Sequence, residues 1–307
     1  MKHWLILVMA CALGHGLVAQ DAPKNKRKPQ LFRWVNPPGQ NFPDEARHAT
    51  FMSPSMKVKV GYCIYLPLQY ELDPKRRFPV VYYLHGGRPG SELKSVKLVK
   101  HIHAAMRADQ VRPAIYVFVN GGPVSHYNMP NQKGAQGEDV FIRELIPHID
   151  ATYRTVASRE GRAVEGFSQG GRGAARIIFK HPHLFVSAAP GGGGHATEKR
   201  ISEDGGRESD ALVFAKGDNT WDLARRYAAS ARPRMHILVH VGDKGFNYQN
   251  NLEWLKHLRA LKIPDVDSLI IPDAPHSAQI IYDKRGLEIM RFHAANFERA
   301  MKAKGLK

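Results

Sequence analysis

The chain has 307 residues, 43% of them apolar, with 27 Gly and 20 Pro. That is enough apolar material for a sizeable core, and it excludes a disordered tail. Its 45 basic residues outnumber 28 acidic ones, giving a formal net charge of +17. Such a charge implies loose attraction to anionic surfaces, but the basic residues are scattered and no nucleic-acid recognition motif accompanies them, so no nucleic-acid partner is expected.

The first twenty residues read as a targeting signal. Lys2 supplies the positive charge, and the apolar run from Trp4 to Leu13 is too short to span a bilayer but has the length of a signal-peptide core. Cleavage falls near Ala19 or Gln20, although Leu17 occupies a position where a small residue is preferred. Two alternatives stay open: a buried N-terminal strand, and a lipoprotein-type box in residues 8–11 that ends at Cys11. The expectation is a periplasmic or extracellular protein. Removal of residues 1–20 leaves Cys63 alone, so neither an internal disulfide nor a cysteine-based metal site is expected.

Residues 21–49 are polar and turn-rich and read as a loosely held arm. From residue 50 the pattern changes. ATFMSPS and KVKVGYCIYLP predict two strands joined by a Ser-Pro turn. FPVVYYLHGG is a continuous apolar run that ends in glycines, as in a buried parallel strand. A helix is predicted over 92–109, a strand over 114–120, and a helix over 138–151. RAVEGFSQGGRGAARIIFKHP gives strand, abrupt turn and helix, and LFVSAAPGGGG gives a strand and a glycine loop. A short core segment over 210–218, a helix around WDLARRYAA, a strand over 236–243 and a helix over 250–261 follow. The strand of SLIIPDAPH and a closing helix over 286–302 complete the chain. Strands alternating with helices predict an α/β fold, a mostly parallel sheet with helices on both faces, in one catalytic domain over 50–307.

Gly166-Phe167-Ser168-Gln169-Gly170 carries the chemistry. It matches G-x-S-x-G between an apolar strand and a small-residue helix start, the context of a nucleophile elbow that exposes a serine hydroxyl. An ordinary capped turn is the bland alternative. A serine needs an adjacent base. His276 follows the strand LIIP in a proline-rich loop from which an imidazole can reach the elbow. Asp243 ends the strand HILVHVG, 75 residues after Ser168 and 33 before His276, where the orienting carboxylate is expected. Asp273 and Asp218 are weaker candidates for that role.

His85-Gly86-Gly87-Arg88 follows the strand VVYYL. The oxyanion amides are expected at Gly87 and Gln169, each contributing roughly 3 kcal/mol to the transition state. Arg88, Asn120, Tyr127, His195 and Trp221 are candidate substrate-binding residues, and Glu92 could line the same pocket. Each of these also has a plain packing or solvation role open to it.

The segments CIYLP, PVVYYLHGG, ELIPHIDATYRT, GFSQGGRGAARIIFKHPHLF and VGDKGFNYQNNLEWLKHL, followed by the late Pro-His, resemble the esterase D-like family of α/β hydrolases. That family includes feruloyl and acetyl xylan esterases, S-formylglutathione hydrolases and mycolyltransferases. The resemblance covers about 240 residues and implies the α/β-hydrolase fold, a Ser168–Asp243–His276 triad and no cofactor or metal. The residues before Ser168, the Ser277-Ala278 pair after His276, and the region GGGGHATEKRISEDGG depart from the familiar members. The implied activity is a serine carboxylesterase acting on a small-molecule ester or an esterified polysaccharide. An acyltransferase or peptidase using the same groups, and a non-catalytic carbohydrate-binding protein on the same fold, are the alternatives. Oligomeric state is not legible.

Overall fold

The computed structural model describes residues 31–129, 132–196 and 215–306. The expected signal segment and residues 210–214 of the expected core segment lie outside the described residues.

β1 (Ala46–Met52) and β2 (Lys59–Tyr65) form an antiparallel pair that leads into the short helix α1 (Gln69–Leu72). The alternating part follows: β3 (Val80–Leu84), α2 (Val99–Arg107), β4 (Ile115–Val119), α3 (Gly137–Asp139), a π-wound turn over Val140–Leu145, and α4 (Ile146–Thr152). Next come β5 (Arg162–Phe167), α5 (Gln169–Lys180), β6 (Ser187–Gly191), α6 (Thr220–Ala228) and β7 (His236–Gly242). The last elements are α7 (Tyr248–Ala260), β8 (Val266–Ile271) and the long α8 (Ala278–Ala303).

The strands form one sheet in the order β1-β2-β4-β3-β5-β6-β7-β8. β2 runs antiparallel to β1 and β4, and every pairing from β4 to β8 is parallel. This is the α/β-hydrolase architecture that the alternation of elements predicts. Side chains of period two divide between two cores. Val80, Tyr82 and Leu84 of β3 pack on one face with Ile177 and Ile178 of α5 and Trp254 of α7. Val81 and Tyr83 pack on the other with Val99 and Ile102 of α2 and Ile289 and Phe297 of α8. Burial on both faces explains why β3 and β4 are unbroken apolar runs.

β1 starts at Ala46, inside the expected arm. It is an edge strand whose polar residues, Arg47 and His48 among them, disguise the period. The preceding residues are also fixed. The Trp34 carbonyl accepts from the Gly61 amide at 2.7 Å, and the buried Glu92 carboxylate accepts from the Asn36 amide at 2.8 Å and the Asn36 side chain at 2.9 Å.

Parallel register sets the functional edge. Leu84 lies opposite Gly166, Phe167 opposite Gly191, and Gly191 opposite His240. The loops that leave β3, β5, β6 and β7 therefore emerge side by side at the carboxyl ends of the strands, where open α/β sheets bind ligands.

Candidate active site

Ser168 occupies the sharp turn between β5 and α5 with φ 60° and ψ −119°. Positive φ at a residue with a Cβ is a strained conformation that surrounding structure must hold. The Ser168 amide donates to the Gly191 carbonyl at 2.8 Å, and its carbonyl accepts from the Arg172 amide at 3.0 Å. Glycines at 166 and 170 make the turn feasible, because a Cβ at either would run into the backbone carbonyl of Leu84.

The early loop presses on the nucleophile: a Cβ at Gly86 would sit 3.0 Å from the Ser168 Cβ. Gly87 has φ +69°, and its carbonyl accepts from the Ser125 hydroxyl at 2.6 Å. Two buried histidines brace this loop. His85 Nε2 accepts from the Gly121 amide at 3.2 Å, so Nδ1 carries the proton and donates to the Gly86 carbonyl at 3.0 Å. His126 donates through Nε2 to the His85 carbonyl at 2.9 Å. Burial holds both imidazoles neutral, His85 well below the usual range and His126 at about 4. In the sequence the His-Gly-Gly run after a strand is the signal for His85, and no motif marks His126.

His276 follows β8 in a loop tied to the end of β7 by the Asp243 amide on the Ile271 carbonyl and the Lys244 amide on the Ala274 carbonyl, each at 3.1 Å. Its Nε2 lies 2.8 Å from Ser168 Oγ. The rings of Phe167 and Phe246 flank it, with centroids 4.7 and 4.0 Å away. Burial lowers its pKa to about 4, so the imidazole is neutral and able to accept a proton at ordinary pH.

The expected carboxylate partner is corrected. His276 Nδ1 meets Asn247 Oδ1 at 3.1 Å, and Asp243 makes no hydrogen bond to the imidazole. Asp243 Oδ1 is buried without a hydrogen-bond partner, and Oδ2 lies 3.9 Å from Lys244 Nζ. The turn after β7 carries the chain past His276, so the residue opposite Nδ1 is four positions beyond Asp243. Asp273 is no substitute, with its side chain 80% exposed. Asp218 pairs with Arg176 and Lys180.

Three expected substrate contacts are corrected as well. Asn120 is buried and donates to Glu92 and to the Arg33 and Trp34 carbonyls, which pins the arm; Glu92 is used up in the same cluster. Tyr127 is buried beneath the Arg176 guanidinium, 3.6 Å from its ring centroid. His195 is buried and stacks on Trp254 at 3.8 Å, with Nδ1 3.2 Å from the Thr220 hydroxyl. Polar side chains at strand ends were recruited here for packing. Trp221 donates through Nε1 to the His195 carbonyl at 3.1 Å and packs on His257. Arg88 lies in the early loop, ahead of Pro89.

Another serine–histidine–carboxylate cluster lies in the interior. Ser187 Oγ is 2.9 Å from His293 Nδ1, His293 Nε2 is 3.6 Å from Glu165 Oε2, and Glu165 Oε1 accepts from the Tyr282 hydroxyl at 2.6 Å. Ser187 begins β6, at the end of the strand opposite the elbow, and exposures of 0, 1 and 0% for Ser187, His293 and Glu165 leave no path for a substrate. The accessible pair is Ser168 and His276.

An elbow serine with an imidazole 2.8 Å away, at the carboxyl edge of a mostly parallel sheet, is a site of the serine-hydrolase type on an α/β-hydrolase fold. A family model described as "Putative esterase" matches residues 53–262, and the chain belongs to that esterase family. It is 31% identical over 190 residues to Esterase Rv1288 of Mycobacterium tuberculosis, a match covering 60% of this chain and 36% of that protein. It is 30% identical over 146 residues to an endo-1,4-beta-xylanase/feruloyl esterase of Xylanibacter ruminicola, covering 45% of this chain and 20% of that one. The chain thus matches about a third or less of the length of these curated relatives. Among solved structures it resembles a ferulic acid esterase, with a TM-score of 0.67, 19% identity, and coverage of 82% of this chain and 98% of the other. An S-formylglutathione hydrolase of Staphylococcus aureus gives a TM-score of 0.64 at 18% identity, with 80% and 98% covered. At these identities the structures speak for the fold.

Proposed function

We propose that the protein is a serine carboxylesterase that hydrolyses acyl esters through an acyl-enzyme on Ser168. The observation that carries this reading is the 2.8 Å contact between Ser168 Oγ and His276 Nε2 on a strained elbow. His276 takes the hydroxyl proton as Oγ attacks the ester carbonyl. The amides of Gly87 and Gln169 receive the oxyanion. Gln169 is the first residue of α5, where backbone N–H groups have no intrahelical acceptor and the helix dipole favours negative charge. The imidazolium returns the proton to the departing alcohol, and water, activated by the same base, releases the acid.

The proposed substrates are acyl conjugates of carbohydrates or phenolic acids, of the feruloyl or acetyl type. Phe246 supports an aromatic group. Its side chain is 83% exposed, unusual for a phenylalanine, and its ring lies against His276, where it offers a wall to a bound ring. Similarity to a feruloyl esterase and to a ferulic acid esterase agrees with this choice. Export to the periplasm or the extracellular space is part of the proposal and rests on the apolar run after Lys2. An intact nucleophile and base argue against a purely binding role.

The test is hydrolysis of p-nitrophenyl acetate, p-nitrophenyl butyrate, methyl ferulate and acetylated xylan by wild type and Ser168→Ala. Activity that disappears in the variant supports the assignment, and a preference for methyl ferulate supports the phenolic class. Full activity in Ser168→Ala would overturn it.

A further inference from the structure

The hydrogen bonds around Asn247 determine which way its amide faces. One end lies against the Gly192 carbonyl, which can only accept, so that end is Nδ2. The other end is therefore Oδ1, and it is this oxygen that stands 3.1 Å from His276 Nδ1. An oxygen there requires the proton on Nδ1. Nε2 is then left with its lone pair directed at Ser168 Oγ, 2.8 Å away. The amide is held rigidly. Asn247 is 8% exposed and precedes α7, and its backbone carbonyl accepts from the Asn251 amide at 3.1 Å and the Asn251 side chain at 2.8 Å.

We infer that Asn247, a neutral amide, positions the His276 imidazole in the role a carboxylate fills in a Ser-His-Asp triad. The inference rests on the proposed roles of Ser168 and His276. It makes Asn247 a positioning residue: it selects the tautomer, but it brings no negative charge to favour the imidazolium that forms as Ser168 attacks. Among the described residues no charged group is hydrogen-bonded to the imidazole, and Asp243 Oδ1 is buried without a hydrogen-bond partner. From the end of β7, Asp243 and Lys244 approach each other at 3.9 Å. From the loop after β8, Asp273 approaches Lys244 at the same distance. From α5, Arg172 donates to the Gly194 carbonyl at 3.1 Å, and from β5 the Glu165 carboxyl is enclosed in the interior with Tyr282. Burial lowers the basicity of His276, to about 4.

The experiment measures kcat and KM for p-nitrophenyl acetate across pH in wild type, Asn247→Ala, Asn247→Asp and Asp243→Asn, with thermal melting as a folding check. Nδ1 and Nε2 of His276 are followed by 15N NMR in the same proteins, which needs no turnover. Asn247→Ala should lower kcat by about 100-fold or more with little change in KM, because the imidazole loses its tautomer lock. Asn247→Asp should restore much of kcat and move both the acidic limb of kcat/KM and the NMR titration of His276 upward by about one pH unit or more, since a carboxylate favours the imidazolium. Asp243→Asn should leave limb and titration in place. A collapse of kcat and a downward titration shift in Asp243→Asn, with Asn247 variants nearly as active as wild type, would overturn the inference. So would an NMR spectrum with the proton on Nε2. Loss of the esterase reading itself has a different signature, full activity in Ser168→Ala.

Discussion

The molecule holds a serine–histidine pair at the carboxyl edge of its sheet and another inside it, and at the level of atoms they look alike. Ser168 and His276 are 2.8 Å apart, Ser187 and His293 2.9 Å. The interior pair even has a carboxyl, Glu165, near its second ring nitrogen, whereas the edge pair has an amide. The differences lie in position and strain. Ser168 sits on a turn at φ 60° with a partly exposed side chain; Ser187 sits in regular strand with none. Enclosure also removes charge from the interior cluster. Burial raises Glu165 to about 8 and lowers His293 to about 3, so at pH 7 both are neutral and the contact between them is not an ion pair. A set of triad-like residues becomes a catalyst only where the backbone delivers the hydroxyl to solvent.

The largest effect should separate the two serines. Ser168→Ala should reduce ester hydrolysis by about a thousandfold or more and leave the melting temperature close to wild type. Ser187→Ala should do the reverse, keeping turnover while costing about 1–3 kcal/mol of stability through the unpaired His293 nitrogen. Equal loss of activity in both variants would break the distinction.

Protons offer a finer probe. Glu165 releases its proton near pH 8 in the folded chain but near its ordinary 4.5 in the unfolded one. Between these values the unfolded state binds fewer protons, so this group lowers stability as pH rises, by at most ~1.4 kcal/mol per unit. The buried imidazoles have the opposite sign. His126, His240 and His276 titrate near 4, and His195 and His293 near 3, against 6.5 when unfolded. The unfolded chain therefore takes up protons first, and stability falls as pH drops below 6.5. Glu165→Gln should remove the alkaline decline and keep the acid one. Urea unfolding of both proteins across pH checks this, and a stability difference that stays constant between about pH 5 and 8 would refute the assignment of a neutral Glu165.

The sequence made the edge pair legible and the interior pair invisible, for physical reasons. Ser168 announces itself because an elbow needs a local pattern, strand then glycine-flanked serine then helix. His276 does so because a histidine after an apolar strand must emerge at the strand's carboxyl end. Long-range pairing leaves no such trace. Ser187 and His293 are 106 positions apart, and Asn120 meets the Arg33 carbonyl across 87. Charge and chain order point to Asp243 as the partner of His276, while the backbone turn after β7 brings Asn247 to face Nδ1. The same turn bears Phe246, a lone aromatic that no local pattern marks as lying against His276.

Phe246 distinguishes the two imidazoles once more. His293 is closed in by the core, including Phe292 and Phe297, whereas His276 owes part of its cover to one exposed ring 4.0 Å away. If burial is what lowers His276, then Phe246→Ala rehydrates it and its pKa moves back toward 6.5. The acidic limb of kcat/KM should rise by a few tenths of a pH unit, while the burial of His293 is untouched. The same truncation should raise KM for methyl ferulate more than for p-nitrophenyl acetate, about two- to twelvefold, the value of roughly one lost ring contact of 0.5–1.5 kcal/mol. Because an unfolding effect would weaken both esters alike, the ratio of the two KM values is the decisive number. An unchanged ratio would remove Phe246 from the substrate site, and an unchanged limb would mean that the ring contributes nothing to the low basicity of the base it covers.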